Sequence, residues 1–185
     1  MANDKNEILV GAGEVYMYEF NGSEIPAHSV IETEEHNVGH TSGGASIEYK
    51  PTKYDVENSY GRIVKSFITK EECTFKTGLL TWNLVNLALL TTAKITTDVS
   101  EKKRTLTFGS GGALKNVLVR FVHEKENGKK LRFTMIGNAG NGFTMDFSGQ
   151  EVSVDAEIAA IEYIKNFLAE FEEELSDEEL AALNI

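Results

Sequence analysis

One cysteine and two prolines in 185 residues remove two kinds of architecture at once. A lone Cys73 forms no internal disulfide and suits a reducing compartment. Its place in the alternating run Glu72, Cys73, Thr74, Phe75, on the same side as Phe75, reads as a plain buried thiol. So few prolines leave little rigid linker, while 16 glycines supply turns. No run of about eighteen apolar residues occurs, so no membrane-spanning helix is expected. The opening MANDKNEILV is charged and polar and does not read as a signal peptide. Bases are scarce too, with 18 Lys and Arg against 29 Asp and Glu and a net charge of −11. A nucleic-acid reader needs a basic surplus to neutralise phosphates, and none is present.

The negative charge is concentrated at one end. Residues 151–185 hold eleven acids and one base, Lys165, which leaves eighteen acids and seventeen bases in residues 1–150. The body is therefore near neutral. The acidic end reads as a solvated face, an interaction arm, or a device that keeps subunits apart.

Catalytic constellations are not recognisable. His36 and His40 would share one face of a helix and could hold a metal, but Val38 and Gly39 between them argue against helix. The other histidines, His28 and His123, supply no third ligand at a standard spacing. Cys73 has no flanking nucleophile signature, and no serine sits in a strand–turn–helix elbow. The runs at Gly11–Gly13, Gly109–Gly112 and Gly137–Gly142 match neither a phosphate loop nor a dinucleotide fingerprint. Glu170–Glu174 reads as a solvated face before it reads as a cation site. The aromatics of EVYMYEF lack the basic neighbours of a base-stacking platform. No cofactor and no metal are expected, and the chain is not read as an enzyme.

What is present is strand after strand. In residues 14–20, Val15, Met17 and Glu19 alternate with Tyr16, Tyr18 and Phe20. Residues 23–44 read as a long loop, functional or disordered, with a short strand near Val30 and Ile31. The block 41–90 organises the rest. Ala45, Ile47 and Tyr49 alternate with Ser46, Glu48 and Lys50; a turn is expected at Pro51-Thr52; Tyr54 and Val56 then alternate with Asp55 and Glu57. A second pair is expected at 62–69 and 72–76. An apolar helix follows over 79–90, capped by Thr81 and docked by Trp82, Leu84 and Leu87.

The strongest hairpin signal is Asn127-Gly128 between 116–125 and 129–136. Read as a two-residue turn, it sets Val122 opposite Phe133 and Val119 opposite Ile136. Both faces of this hairpin are apolar, so it lies between two packed layers or has its second face covered by another subunit. Beyond the strand at 151–161 the periodicity is ambiguous. Ile161, Ile164, Leu168, Phe171 and Leu175 fit a helix, which is slightly favoured; Phe167, Ala169 and Phe171 fit a strand. Ser176 to Glu179 has capping-box spacing and opens a last helical turn.

The run GHTSGGASIEYKPTKYDVE followed by GRIVKSFITKEECTFKTGLLTWNLVNLALL, with GAGEVYMYEF before it, resembles the tail tube (major tail protein) family of long-tailed bacteriophages over most of residues 8–161. The resemblance implies a mainly β fold, an antiparallel β-sandwich or barrel with one short flanking α-helix at about residues 80–90. It implies a β domain over 1–161 with an N-terminal arm, and an acidic C-terminal segment over 162–185 within the same domain. It implies stacked hexameric rings forming a hollow tube for DNA, made in the bacterial host cytoplasm and located in the virion tail. The partners implied are further copies of the chain, tape measure, tail terminator and tail-tip proteins, and DNA in passage, with no membrane. Mapped here, the lumen hairpin is residues 45–60 or the neighbouring 62–76; the wet face of the first presents Glu48, Asp55 and Glu57 inward, where acids repel phosphates. Val119, Val122, Phe133 and Ile136 are the inter-subunit hairpin candidates. The alternative is a non-enzymatic β-sandwich binding or adhesion module; a third is an enzyme whose site forms only on oligomerisation.

Overall fold

The computed structural model describes residues 12–79, 81–109, 111–140, 142–145, 147 and 152–183, with backbone alone at 42, 43 and 182. The arm expected at residues 1–10 lies outside them. The fold is mainly β and antiparallel, with three short helices among the described residues. In chain order the elements are β1 (Glu14–Glu19), α1 (His28–Ile31), β2 (Thr41–Glu57), β3 (Ile63–Leu79), α2 (Leu84–Leu89), β4 (Lys94–Asp98) and β5 (Lys103–Thr107). There follow β6 (Val117–Glu124), β7 (Lys130–Asn138), β8 (Phe143–Met145), β9 (Val154–Ala160), β10 (Ala169–Glu173) and α3 (Asp177–Ala182). Eight strands make one sheet in the order β1-β6-β7-β9-β3-β2, with β10 on β7 and β8 on β9; β4 and β5 form a separate pair.

β7 is the centre. One edge pairs with β6; the other pairs with β10 over Leu131–Met135 and with β9 at Gly137 and Asn138. The sheet curls so that Phe75 of β3 stacks on Phe133 of β7, with ring centroids 6.2 Å apart. Val15, Met17, Val117, Val119, Met135, Ile158 and Leu87 of α2 complete that core. Gly137 allows the closure: a Cβ there would sit 2.3 Å from the Ala159 carbonyl oxygen.

The second face of the β6–β7 hairpin is covered by the chain itself. Leu118, Val122 and Ile136 pack with Tyr16, Phe20 and Ile31, and with Ile161, Ile164 and Phe167 from the segment after β9. Val119, Val122, Phe133 and Ile136 are therefore interior residues, at most 5% exposed, and do not form an open surface awaiting another subunit. The pairing is also shifted by one from the expected register. Val122 faces Arg132 and Val119 faces Met135. The loop holds three residues, not two: Lys125 and Lys129 close it, and Gly128 takes φ +75° after a tight turn. Asn127 keeps negative φ, so the two-residue turn does not form.

Other expectations are corrected. No turn exists at Pro51: β2 and β3 each run unbroken for 17 residues. β2 is the outermost strand of the sheet, and an edge strand tolerates a residue without N–H. α2 is one and a half turns long and is capped by Asn83, whose Oδ1 accepts from the Val85 N–H. Thr81 Oγ1 accepts instead from the His40 N–H. Trp82 precedes α2 and is 59% exposed, so it does not dock it; Leu87 is buried and Leu84 half-buried. Val30 and Ile31 lie in α1, not a strand, and Ile31 is fully buried. Residues 36–38 line the free edge of β1 through Met17 N–H to His36 O and Val38 N–H to Val15 O. Residues 169–173 are strand, not helix, because β7 offers an open edge that an isolated amphipathic turn cannot match. The capping box at Ser176 and Glu179 is formed.

Replacing a fully buried Ile with Ala costs about 2–5 kcal/mol. Ile136→Ala should lose that much in urea unfolding of the monomer, and Gly137→Ala should also destabilise through its clash with Ala159; unchanged midpoints would contradict the two-layer packing.

Candidate assembly surface

The β2–β3 hairpin outruns the body. β9 supports β3 only over Thr74–Leu79. Past that point the two strands pair with each other alone among the described residues, from Tyr49↔Cys73 out to Glu57↔Ile63. At about 3.4 Å per residue, the eight residues 50–57 extend roughly 27 Å. Every residue from Ile63 to Glu72 is exposed. Yet this ribbon carries Tyr49, Tyr54, Tyr60, Ile63, Val64, Phe67 and Ile68, each 44–87% exposed. A polar ribbon would need none of them. The tip is well made all the same: Asn58 Oδ1 accepts from the Tyr60 and Arg62 N–H groups, and Asn58 N–H donates to Arg62 O.

Two extra residues on β3, Thr69 and Val64, give the ribbon irregularities in register. Tyr54 opposes Phe67, and the Lys65 ammonium lies 4.6 Å from the Phe67 ring centroid. β2 itself alternates without interruption from Ala45 to Glu57, so Glu48 lies on the face opposite Asp55 and Glu57. The three predicted lumen acids do not share one wall. Two of them are neutralised locally: Glu48 by Lys50 at 2.7 Å, and Asp55 by Lys53 at 2.9 Å and a 2.5 Å bond from Ser66 Oγ. The Lys50 bond holds the Glu48 carboxyl below its ordinary range; Ser66 and then Lys53 do so for Asp55. Around Glu48 the wet face of the curled sheet is mixed in charge, with Lys76 on Glu157 at 3.0 Å.

Sequence reasoning missed a second feature, an ionic layer beneath α1 and the C-terminal segment. Arg120 and Arg132 are 1% and 4% exposed and occupy the same face as Leu118, Val122 and Ile136. Their apolar flanking on that face was the available signal. Glu32, itself nearly buried, takes Arg132 Nε at 2.5 Å, Lys130 Nζ at 3.1 Å and Arg120 Nη1 at 3.2 Å. Glu172 and Glu174 of the C-terminal segment meet Arg132 Nη1 at 3.1 and 2.6 Å. Lys125, also buried, meets Glu173 at 2.8 Å and Glu179 at 3.3 Å. His28 donates from Nε2 to Glu172 while Arg120 donates to its Nδ1. Four acids of the acidic end are thus counter-ions of buried cations and not a solvated arm.

No protein-family model matches the chain, and no curated protein matches it. Among the described residues, no group of three or more His, Cys, Asp or Glu could hold a metal, and no helix is long and apolar enough to cross a membrane.

Burial alone would raise the Glu32 carboxyl, but the bonds from Arg132 and Lys130 outweigh it and hold it low. Arg132 lowers Glu174, and the Ser176 backbone N–H lowers Glu179. All three folded values lie below the ordinary glutamate value of 4.5. Their contribution is complete above about pH 4.5 and is lost as pH falls through the folded values. Urea midpoints should be flat from pH 7 to 5 and drop below 4.5, with a shallower drop in Glu174→Gln. Removing one partner of a buried ion pair costs about 3–5 kcal/mol. Glu32→Gln should lose that much at pH 7 by urea unfolding; a loss under 1 kcal/mol would mean the layer is not structural.

Proposed function

We propose that this chain is a structural subunit that self-assembles into stacked rings, the hollow tail tube of a phage or a phage-tail-like particle, and serves as a conduit for DNA. The observation that carries the reading is the ribbon: a two-stranded extension with exposed aromatics and open edges on a body whose own core is closed. A lone two-stranded hairpin is marginal in water. Open edges and exposed apolar side chains are a template for further strands. A subunit that docks this extension on a different surface of an identical copy makes a head-to-tail contact, and such contacts generate rings or filaments. Strand pairing across subunits would also cover the outer edge of β2.

In the ring, the wet face of the curled sheet is the wall exposed to DNA. Acids partnered by lysines on that face give phosphates little to adhere to. Hexameric rings, a virion-tail location, and contacts with tape measure, terminator and tail-tip proteins belong to the same proposal.

Negative-stain electron microscopy of the purified protein at high concentration, in salt that screens the acidic end, should show hollow tubes or rings with a central pore. Compact monomers throughout would favour the binding-module reading. Tyr54→Ser/Phe67→Ser should leave monomer stability within about 0.5 kcal/mol. It should raise the concentration needed for assembly about tenfold or more, because each 1.4 kcal/mol of lost contact is a factor of ten. Unimpaired assembly of that variant, by sedimentation, would take the ribbon out of the interface.

A further inference from the structure

We propose that the C-terminal strap, β10 with α3, is exchanged between neighbouring copies when the chain assembles, so that the ionic layer of one subunit is completed by its neighbour's glutamates. The proposal rests on the self-assembly reading and adds which segment crosses the interface.

The socket is specific. The β7 edge at Leu131–Met135 needs a strand, and buried Arg132 and Lys125 need carboxylates at fixed places along it. Residues 169–174 supply them: Glu172 lies directly opposite Arg132, Glu174 follows on the same side, and Glu173 reaches Lys125. Glu170 opposite Thr134 extends the acidic pattern. The fitting occupant is therefore this segment, from the same chain or from a second copy.

The strap is held along one strand edge, that of β7. Phe171 touches Phe133 at 4.8 Å between centroids yet is 61% exposed; Ala169 and the adjoining Leu168 pack only partly buried against the core, and the rest of the strap's hold is ladder bonds and ion pairs. The outer edge of β10 is unpaired among the described residues. Its tether turns at an Ile164↔Phe167 bridge with Asn166 at φ +62°. Contacts made by a swapped strap are identical to those made in place, so exchange costs little beyond opening. Opening lets water reach Arg132 and Lys125 and does not strand them in an apolar interior.

A disulfide distinguishes the two arrangements. In a Cys73→Ala background, Thr134→Cys/Glu170→Cys places thiols at directly opposed positions. Oxidised when dilute, the variant should run as a monomer on a non-reducing gel and should then fail to assemble. Oxidised after assembly, it should run mostly as dimers and longer ladders that collapse to monomer on reduction. Leu131→Cys/Glu173→Cys, opposed in the same ladder, reads the same exchange if the first pair does not fold. Particles whose crosslinks stay within chains would overturn the exchange and leave the self-assembly reading standing. No particles from the reduced variant or the unmodified protein, with intrachain crosslinks alone, would overturn both.

Discussion

Phe133 and Ile136 point to opposite sides of β7, and both are buried. The rest of the structure follows from that. A strand with two apolar faces needs two covering layers. The curled sheet of β1, β3, β6 and β9 with α2 supplies one; α1 and the segment after β9 supply the other. The same strand is paired on both edges, and its second edge is shared between β9 and β10 because Gly137 lets β9 approach. With its core thus closed, the body has no use for the outer half of the β2–β3 hairpin, which projects with its aromatics uncovered.

Charge follows the same geometry. Arg120 and Arg132 lie on the α1 side of the hairpin, where burial would be costly without counter-ions. Glu32 arrives from the turn after α1, and Glu172 and Glu174 arrive on a strand. An excess of acid concentrated in the last 35 residues is then partly a set of internal partners for cations earlier in the chain. The net charge of −11 remains, and identical copies repel one another at low salt. In the proposed assembly, association overcomes that by burying apolar surface, which the ribbon offers.

Much of the fold was legible because period-two alternation survives folding. The two faces of β1, the β6–β7 hairpin, β9 and the capping box at Ser176 all read directly from residue order. The failures have local causes. Pro51 marks a turn in most contexts, but at a sheet edge its missing N–H costs nothing. Asn127-Gly128 favours a two-residue turn, yet only Gly128 adopts positive φ, and the register moves by one. Residues 161–175 fit two periods, and the open edge of β7 decided between them. Trp82 reads as a helix anchor only if the helix begins near Thr81, whereas α2 begins at Leu84 behind its Asn83 cap. The acidic residues at 48, 55 and 57 were grouped by assuming a turn that does not exist; continuous alternation separates them. The ionic layer spans residues 28 to 179, and such long-range pairing leaves little trace in local pattern.

The central claim is that the ribbon is the part of the monomer completed by another copy. Amide hydrogen exchange of residues 50–57 and 63–72, compared between dilute protein and concentrated protein, tests it most directly. Protection should rise at least a hundredfold in those residues on concentration, while the β6–β7 hairpin, already buried, changes little. Particles that form with ribbon amides still exchanging as in the dilute protein would contradict the account.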